Sequence, residues 1–200
     1  YVYVQVMQPV IRAMDAGGLA AGVAMETDFS APMLSLLYLI TRGPVYDMYL
    51  LKLFAIGCMM VLFLIVMRSG ERHGLGMRTE VLLALCMILP QGFMNAACSA
   101  LPEVCAAALT ALALALAFDM DRPRMPASAV LLGAACALSG AALYALPAFA
   151  YLAYCGRMKK RHLLLVPAVM IAACVPAVMA GMPAGGALSS LLNANSGTAA

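Results

Sequence analysis

Two long stretches of this 200-residue chain carry no charged side chain. One runs from Met125 to Gly156, and the other follows Arg161 to the end of the sequence. A soluble fold needs charged side chains over nearly all of its surface, whereas the hydrocarbon of a bilayer excludes them. Only 10% of the residues are charged, against about 25% in a typical soluble domain. The sequence therefore predicts an all-α integral membrane protein and excludes a soluble helical bundle.

The basic residues indicate how such a chain is oriented across a membrane. Nine of the twelve Lys and Arg residues fall in three short clusters, at 68–78, 122–124 and 157–161. Cytoplasmic loops collect Lys and Arg, so we expect all three clusters on that side. The basic residues are not interleaved with aromatic residues on one face, so no nucleic-acid partner is predicted. The net charge of +3 is interpreted as a topology signal.

The apolar segments between the clusters predict a bundle of about six transmembrane passes over residues 46–182. About 20 helical residues cross the ~30 Å of hydrocarbon. Residues 125–156 are assigned two short helices, broken near Ser139 and Gly140, because two crossings keep the three basic clusters on one side. The predicted passes are 48–67, 81–95, 104–118, 126–139, 142–156 and 163–182.

The segments that flank this bundle are expected on the extracytoplasmic side. Residues 1–45 contain several charges and form no span, whereas 183–200 form a second outer loop. The pattern predicts an interfacial amphipathic helix near the start and another over Ala31–Ile40, separated by Gly17 and Gly18. The first of these helices has apolar residues at helical spacing, namely Val6, Val10, Ile11 and Met14. Because the chain begins with Tyr, we expect a fragment of a longer single domain.

Several segments occur in an order typical of one family of membrane enzymes. They are QPVIRAMDAGGLAA (8–21), DFSAPMLSLLYLI (28–40), YLLKLFAI (49–56), LPQGFMNAACSALPE (89–103), LYALPAFAYLAY (143–154) and KKRHLLLVPAVMIAACVPAVMAG (159–181). In this order they resemble the polyprenyl-phosphate-dependent glycosyltransferases of the GT-C fold, especially bacterial proteins related to GPI mannosyltransferases. The resemblance implies a GT-C-like multi-pass bundle in the bacterial inner membrane, with interfacial helices in its first extracytoplasmic loop.

The resemblance also implies an activity. A hexose such as mannose would pass from a polyprenyl-phosphate donor to an acceptor hydroxyl on the extracytoplasmic face. A carboxylate must then reach the attacking hydroxyl as general base, and cations must hold the leaving phosphate. Asp28 is the first candidate for the catalytic carboxylate, Glu26 could share its role, and Glu103 is the second candidate. The alternatives are that Asp28 caps a helix or is a solvated loop acid, and that Glu103 is a hydrated interfacial acid.

Four further residues are candidates for binding the donor. Lys52 and Arg42 could hold the lipid phosphate, and Gln91 and Asn95 could line a sugar-binding cavity. The alternatives are snorkelling of the two cations to the interface and hydrogen bonds between helices for the two amides.

No cofactor is predicted with a definite ligand set. A divalent metal at Glu26 and Asp28 stays open but is not favoured, because two carboxylates at i and i+2 are a weak ligand set. The seven cysteines form no CxxC pair and are interpreted as small packing residues.

Two other functions remain open at this stage. The positions where the family usually has Trp-Gly-Gln-x-Asp hold Ser99 to Glu103, which keep only an acid. The chain could therefore be a catalytically inactive GT-C relative that serves as a membrane scaffold. A small transporter subunit is the third hypothesis, suggested by broken helices and by the polar groups near Pro90.

Overall fold

The computed structural model describes residues 7–25, 29–41, 47–72, 74, 76–88, 102–119 and 123–193. Within those residues all regular structure is helical and no strand is present, so the predicted all-α class is confirmed. A 3-10 helix, Gly140–Ala145, accompanies the α-helices. The α-helices are α1 (Gln8–Ala24), α2 (Ala31–Thr41), α3 (Asp47–Arg72), α4 (Met77–Ile88), α5 (Pro102–Ala117), α6 (Met125–Leu138), α7 (Leu146–Tyr154), α8 (Lys160–Leu163), α9 (Leu165–Met179) and α10 (Ala184–Asn193).

The first two helices pack against each other. The apolar side chains predicted at helical spacing, among them Val10, Ile11 and Met14, are buried against α2 residues such as Leu34 and Leu37. The face that the sequence assigns to the membrane interface is therefore covered by protein. The glycine pair interrupts α1 itself, since Gly18 has the non-helical angles φ 73° and ψ −168° and a second helical piece follows it to Ala24. Glycine adopts this positive φ without the steric cost of a Cβ atom, so α1 consists of two helical pieces that meet at a kink.

Helices α3 and α5 run parallel to each other. The Sγ atoms of Cys58 and Cys105 are 3.6 Å apart, and Arg72 forms a 3.1 Å ion pair with Asp119 just beyond the end of α5. Each contact joins residues 47 positions apart. A constant offset over about four helical turns requires that both chains advance in the same direction.

Oxidation of the thiol pair tests this parallel register. We expect oxygen with copper phenanthroline to join Cys58 and Cys105 in an intramolecular disulfide, because side-chain rotation can close the distance between the two sulfur atoms. Mass spectrometry of the digested chain would identify the linked peptides. The buried Cys174 should remain unlinked and Cys58→Ser should abolish the product. Modification of the exposed Cys155 without any 58–105 link would contradict the register.

Helix α6 forms an antiparallel hairpin with α5. The Ser128 hydroxyl donates to the Ala113 carbonyl at 2.6 Å, and the Arg124 amide donates to Leu116 at 3.1 Å. Helix α9 runs parallel to α6, because Ala137 clusters with Cys174 whereas the residue beside Val166 is the earlier Gly133. A Cβ added there would lie 2.8 Å from the Val166 carbonyl oxygen, so only glycine fits this contact.

The predicted break in residues 125–156 is present as a change of helix type. Helix α6 ends at Leu138, Ser139 is extended with φ −150° and ψ 131°, and the 3-10 helix begins at Gly140. The Ser139 side chain accepts from the Ala141 amide and so caps the new helix. Helix α7 begins at Leu146 with Pro147 in its first turn, a position that suits proline because it lacks an amide donor.

Within the described residues, two helical segments are long and apolar enough to cross a membrane, Lys52–Arg72 and Lys160–Met179. They contain 21 and 20 residues, and each overlaps one of the predicted passes. The other apolar helices are shorter. Helix α6, for example, has 14 residues and is roughly 21 Å long, against about 30 Å of hydrocarbon. The six-pass layout therefore stays a prediction.

Candidate functional site

Three helix ends are joined by serine side chains at one end of the bundle. The Ser30 hydroxyl donates to the Ala137 carbonyl at 3.2 Å, and the Ser190 hydroxyl accepts from the Ala31 amide at 3.0 Å. These bonds satisfy an orphan carbonyl at the end of α6 and an orphan amide at the start of α2. We call this region the serine-tied end, defined by Ser30, Ala137 and Ser190.

Ser30 is also the cap of α2. Its Oγ accepts a hydrogen bond from the Met33 amide at 3.3 Å, which is the third residue of the helix. The capping interaction that the sequence left open for Asp28 is therefore made by Ser30. Phe29, beside it, packs against the apolar cluster of α1 and α2, as do Leu138 and Met182. The chain is thus fixed at the serine-tied end immediately after Asp28.

Two sequence-predicted site residues lie toward this same end. Helix α6 ends at the serine-tied end. Because α5 is antiparallel to α6 and α3 is parallel to α5, both α3 and α5 begin at this end. Lys52 is exposed in the second turn of α3, and the backbone of Glu103 lies in the first turn of α5. The offset of 47 places Glu103 level with Ile56, one turn or roughly 6 Å along the axis from Lys52. A candidate cation and a candidate acid therefore occupy adjacent turns of neighbouring helices.

The remaining predicted site residues lie outside the described part of the chain. They are Asp28, Glu26, Arg42, Gln91 and Asn95. Their proposed roles stay predictions. Among the described residues, no group of three or more His, Cys, Asp or Glu side chains could hold a metal ion.

The opposite end of the bundle collects basic residues from all three clusters. Arg72 and Asp119 meet there at the ends of α3 and α5, and Arg124 immediately precedes α6. Gly133 of α6 contacts Val166 of α9, and the two helices are parallel. Lys160, at the start of the preceding helix α8, therefore lies close to the level of Arg124 at the start of α6. We call this region the basic end, defined by Arg72, Arg124 and Lys160.

The two long apolar segments are largely uncovered by the rest of the protein. Only 17% of an 18-residue stretch of each segment is buried, whereas a core helix of a soluble protein is mostly buried. Large apolar side chains recur along one outward face of each helix, which is the reverse of the polar outer face of a soluble amphipathic helix. The exposed residues include Leu53, Ile56, Met60 and Leu64 on α3, and Ile171, Val175 and Val178 on α9.

Sequence reasoning missed the serine ties. The segment Phe29-Ser30-Ala31-Pro32 carries a usable signal, because a serine followed two residues later by proline is typical of a helix start. Ser190 had no comparable signal, since its partner lies 159 positions away.

No family model, curated protein or solved structure matches this chain.

Proposed function

We propose that the chain is a membrane-embedded part of a GT-C-type glycosyltransferase, which moves a hexose from a polyprenyl-phosphate donor to an acceptor hydroxyl. The membrane part of the proposal is supported by the exposed apolar faces of α3 and α9. Soluble monomers rarely leave apolar areas of this kind open to water, and lipid tails would cover them. The gathering of basic residues at one end supports a cytoplasmic location for that end.

One observation supports the enzymatic part more than any other. Lys52, the backbone of Glu103 and Ser30 all lie toward the end that is opposite the basic end. In the proposed orientation this end faces the extracytoplasmic side, where the lipid-linked donor presents its sugar. Lys52 would hold the leaving phosphate, because a cation stabilises the charge that develops as the glycosidic bond breaks.

The carboxylates have complementary roles in this proposal. Asp28 is assigned as the general base that removes the proton from the acceptor hydroxyl, with Glu26 beside it in sequence. Glu103 would orient the sugar or the acceptor from the first turn of α5. Base, anomeric carbon and phosphate must come within a few ångströms of each other in the reactive complex, so these elements must converge at one end.

A transfer assay with the reconstituted full-length protein tests the proposal. We expect hexose transfer from a polyprenyl-phosphate donor, reduced roughly tenfold or more by Lys52→Gln through weaker stabilisation of the leaving phosphate. Arg12→Gln is the matched control, since Arg12 is an exposed cation on α1 to which the proposal gives no role, and it should leave the rate unchanged. A protein that inserts into membranes but transfers no sugar would favour the inactive scaffold.

A further inference from the structure

We propose that residues 157–161 at the basic end form a binding site for the headgroups of anionic phospholipids. The inference rests on the proposed membrane insertion, because it requires the basic end to lie at a bilayer surface. It does not depend on the transferase activity.

The loop that carries these residues has a fixed backbone. Helix α7 ends in a Schellman motif, in which Gly156 has φ 71° and the Arg157 amide donates to the Leu152 carbonyl at 3.0 Å. The Met158 amide donates to the same carbonyl at 3.1 Å. The Met158 side chain is buried in the core cluster that contains Phe149 and Leu152. One apolar side chain therefore anchors the loop from within.

The charged side chains around this anchor all face outward. Arg157, Lys159, Lys160 and Arg161 are exposed, and within the described residues none of them forms an ion pair. The first basic cluster differs, because Glu71 lies within it and Arg72 is paired with Asp119. The second differs too, because Asp119 and Asp121 directly precede it in sequence. The loop 157–161 is thus the densest unneutralised positive charge on the described surface.

The surroundings of the loop favour a lipid headgroup over a soluble anion. Tyr154, three residues before the loop, is 90% exposed, and Leu164, three residues after it, is 70% exposed. A tyrosine ring suits the boundary between headgroups and acyl chains, and a leucine side chain suits the acyl chains. The loop also leads directly into the apolar segment Lys160–Met179. A cluster of Lys and Arg next to a membrane helix attracts anionic lipids, whose phosphate oxygens pair with guanidinium and ammonium groups.

Lipid titration of the full chain in detergent, followed by native mass spectrometry, tests the proposal. We expect wild-type protein to bind phosphatidylglycerol more tightly than phosphatidylcholine. Each cation at such a surface strengthens binding by up to about fivefold, so K159Q/K160Q/R161Q should lower the affinity for phosphatidylglycerol about tenfold or more. The matched control R68Q/R78Q/R124Q removes the same charge from exposed arginines of the same end. An acidic residue lies within three positions of each of these arginines and offsets its charge, so the control should change that affinity by less than about threefold.

Several results of this titration would overturn the lipid-binding proposal. Equal losses in the two triple variants, or no preference in the wild type, would overturn the proposal. Competition by inorganic phosphate or by a single-stranded oligonucleotide as strong as that by phosphatidylglycerol would overturn it in favour of a soluble anion. If the triple variant does not fold, the single changes Lys159→Gln, Lys160→Gln and Arg161→Gln should each weaken binding about two- to fivefold. Release of the wild type from membranes by alkaline carbonate would instead refute the membrane insertion on which both proposals rest.

Discussion

Asp28→Asn is expected to lower hexose transfer by at least about 100-fold in the full-length protein while leaving its helical content unchanged. A general base contributes roughly 10²–10⁴-fold, and asparagine has nearly the same shape as aspartate but cannot accept the proton. The measurement is the initial rate of transfer from a polyprenyl-phosphate hexose in proteoliposomes, with circular dichroism as the check on folding.

The change Asp15→Asn provides the control for Asp28→Asn. Asp15 is an exposed acid on α1, so its removal changes the net charge equally and should leave the rate unaltered. Capping of α2 does not complicate the comparison, since Ser30 makes that hydrogen bond. Wild-type turnover by Asp28→Asn would remove this residue from the mechanism and leave Glu26 and Glu103 as the remaining acids to test.

Gly133→Ala is expected to destabilise the protein by about 1–3 kcal/mol, because an added methyl group would overlap the neighbouring helix. The new Cβ would lie 2.8 Å from both the Val166 carbonyl oxygen and the Val169 Cβ. A backbone carbonyl cannot rotate away as a flexible side chain can, so α6 and α9 would have to separate. Thermal unfolding in detergent would measure the change.

The same substitution at Gly57 is not expected to destabilise the protein. Gly57 lies within α3, and a Cβ added there meets no atom within 4 Å. Replacing a mid-helix glycine with alanine stabilises a helix by about 0.5–1 kcal/mol, so Gly57→Ala should leave stability unchanged or raise it slightly. Equal effects of the two substitutions would contradict the close approach of α6 and α9.

The positions of most helices could be predicted from the sequence, but their pairing could not, and α10 lies in the segment 183–200 that was assigned to an outer loop. The break at Ser139 followed from the distribution of charge along the chain. In contrast, the parallel contact between α3 and α5 depends on small side chains such as Cys58 and Cys105, which fit many partners equally well. The apolar face of α1 was also predictable, since helical spacing reveals a face. Whether lipid or a neighbouring helix covers that face could not be predicted, because both environments favour the same apolar side chains.

The candidate site, too, could be predicted from the sequence only in part. The charge of Lys52 and its place near the start of a long apolar helix are visible in the sequence. Its position one turn from the level of Glu103 depends on a register that only the folded chain reveals. The role of Ser30 was not predicted, because a serine indicates little unless its hydrogen-bond partner, here the Ala137 carbonyl, is known.

The parallel arrangement of α3 and α5 has a consequence for the order of folding. The Ser128–Ala113 bond joins residues 15 positions apart, whereas the contact between Cys58 and Cys105 spans 47. The entropy lost on closing a loop grows with its length, so the α5–α6 hairpin can form before α3 joins it. Ribosomes add about 5–20 residues per second, so Arg72 is made roughly 2–6 s before Pro102. During synthesis α3 therefore persists without α5, and under the proposed membrane insertion its exposed apolar side chains would let it remain in lipid as an independent helix.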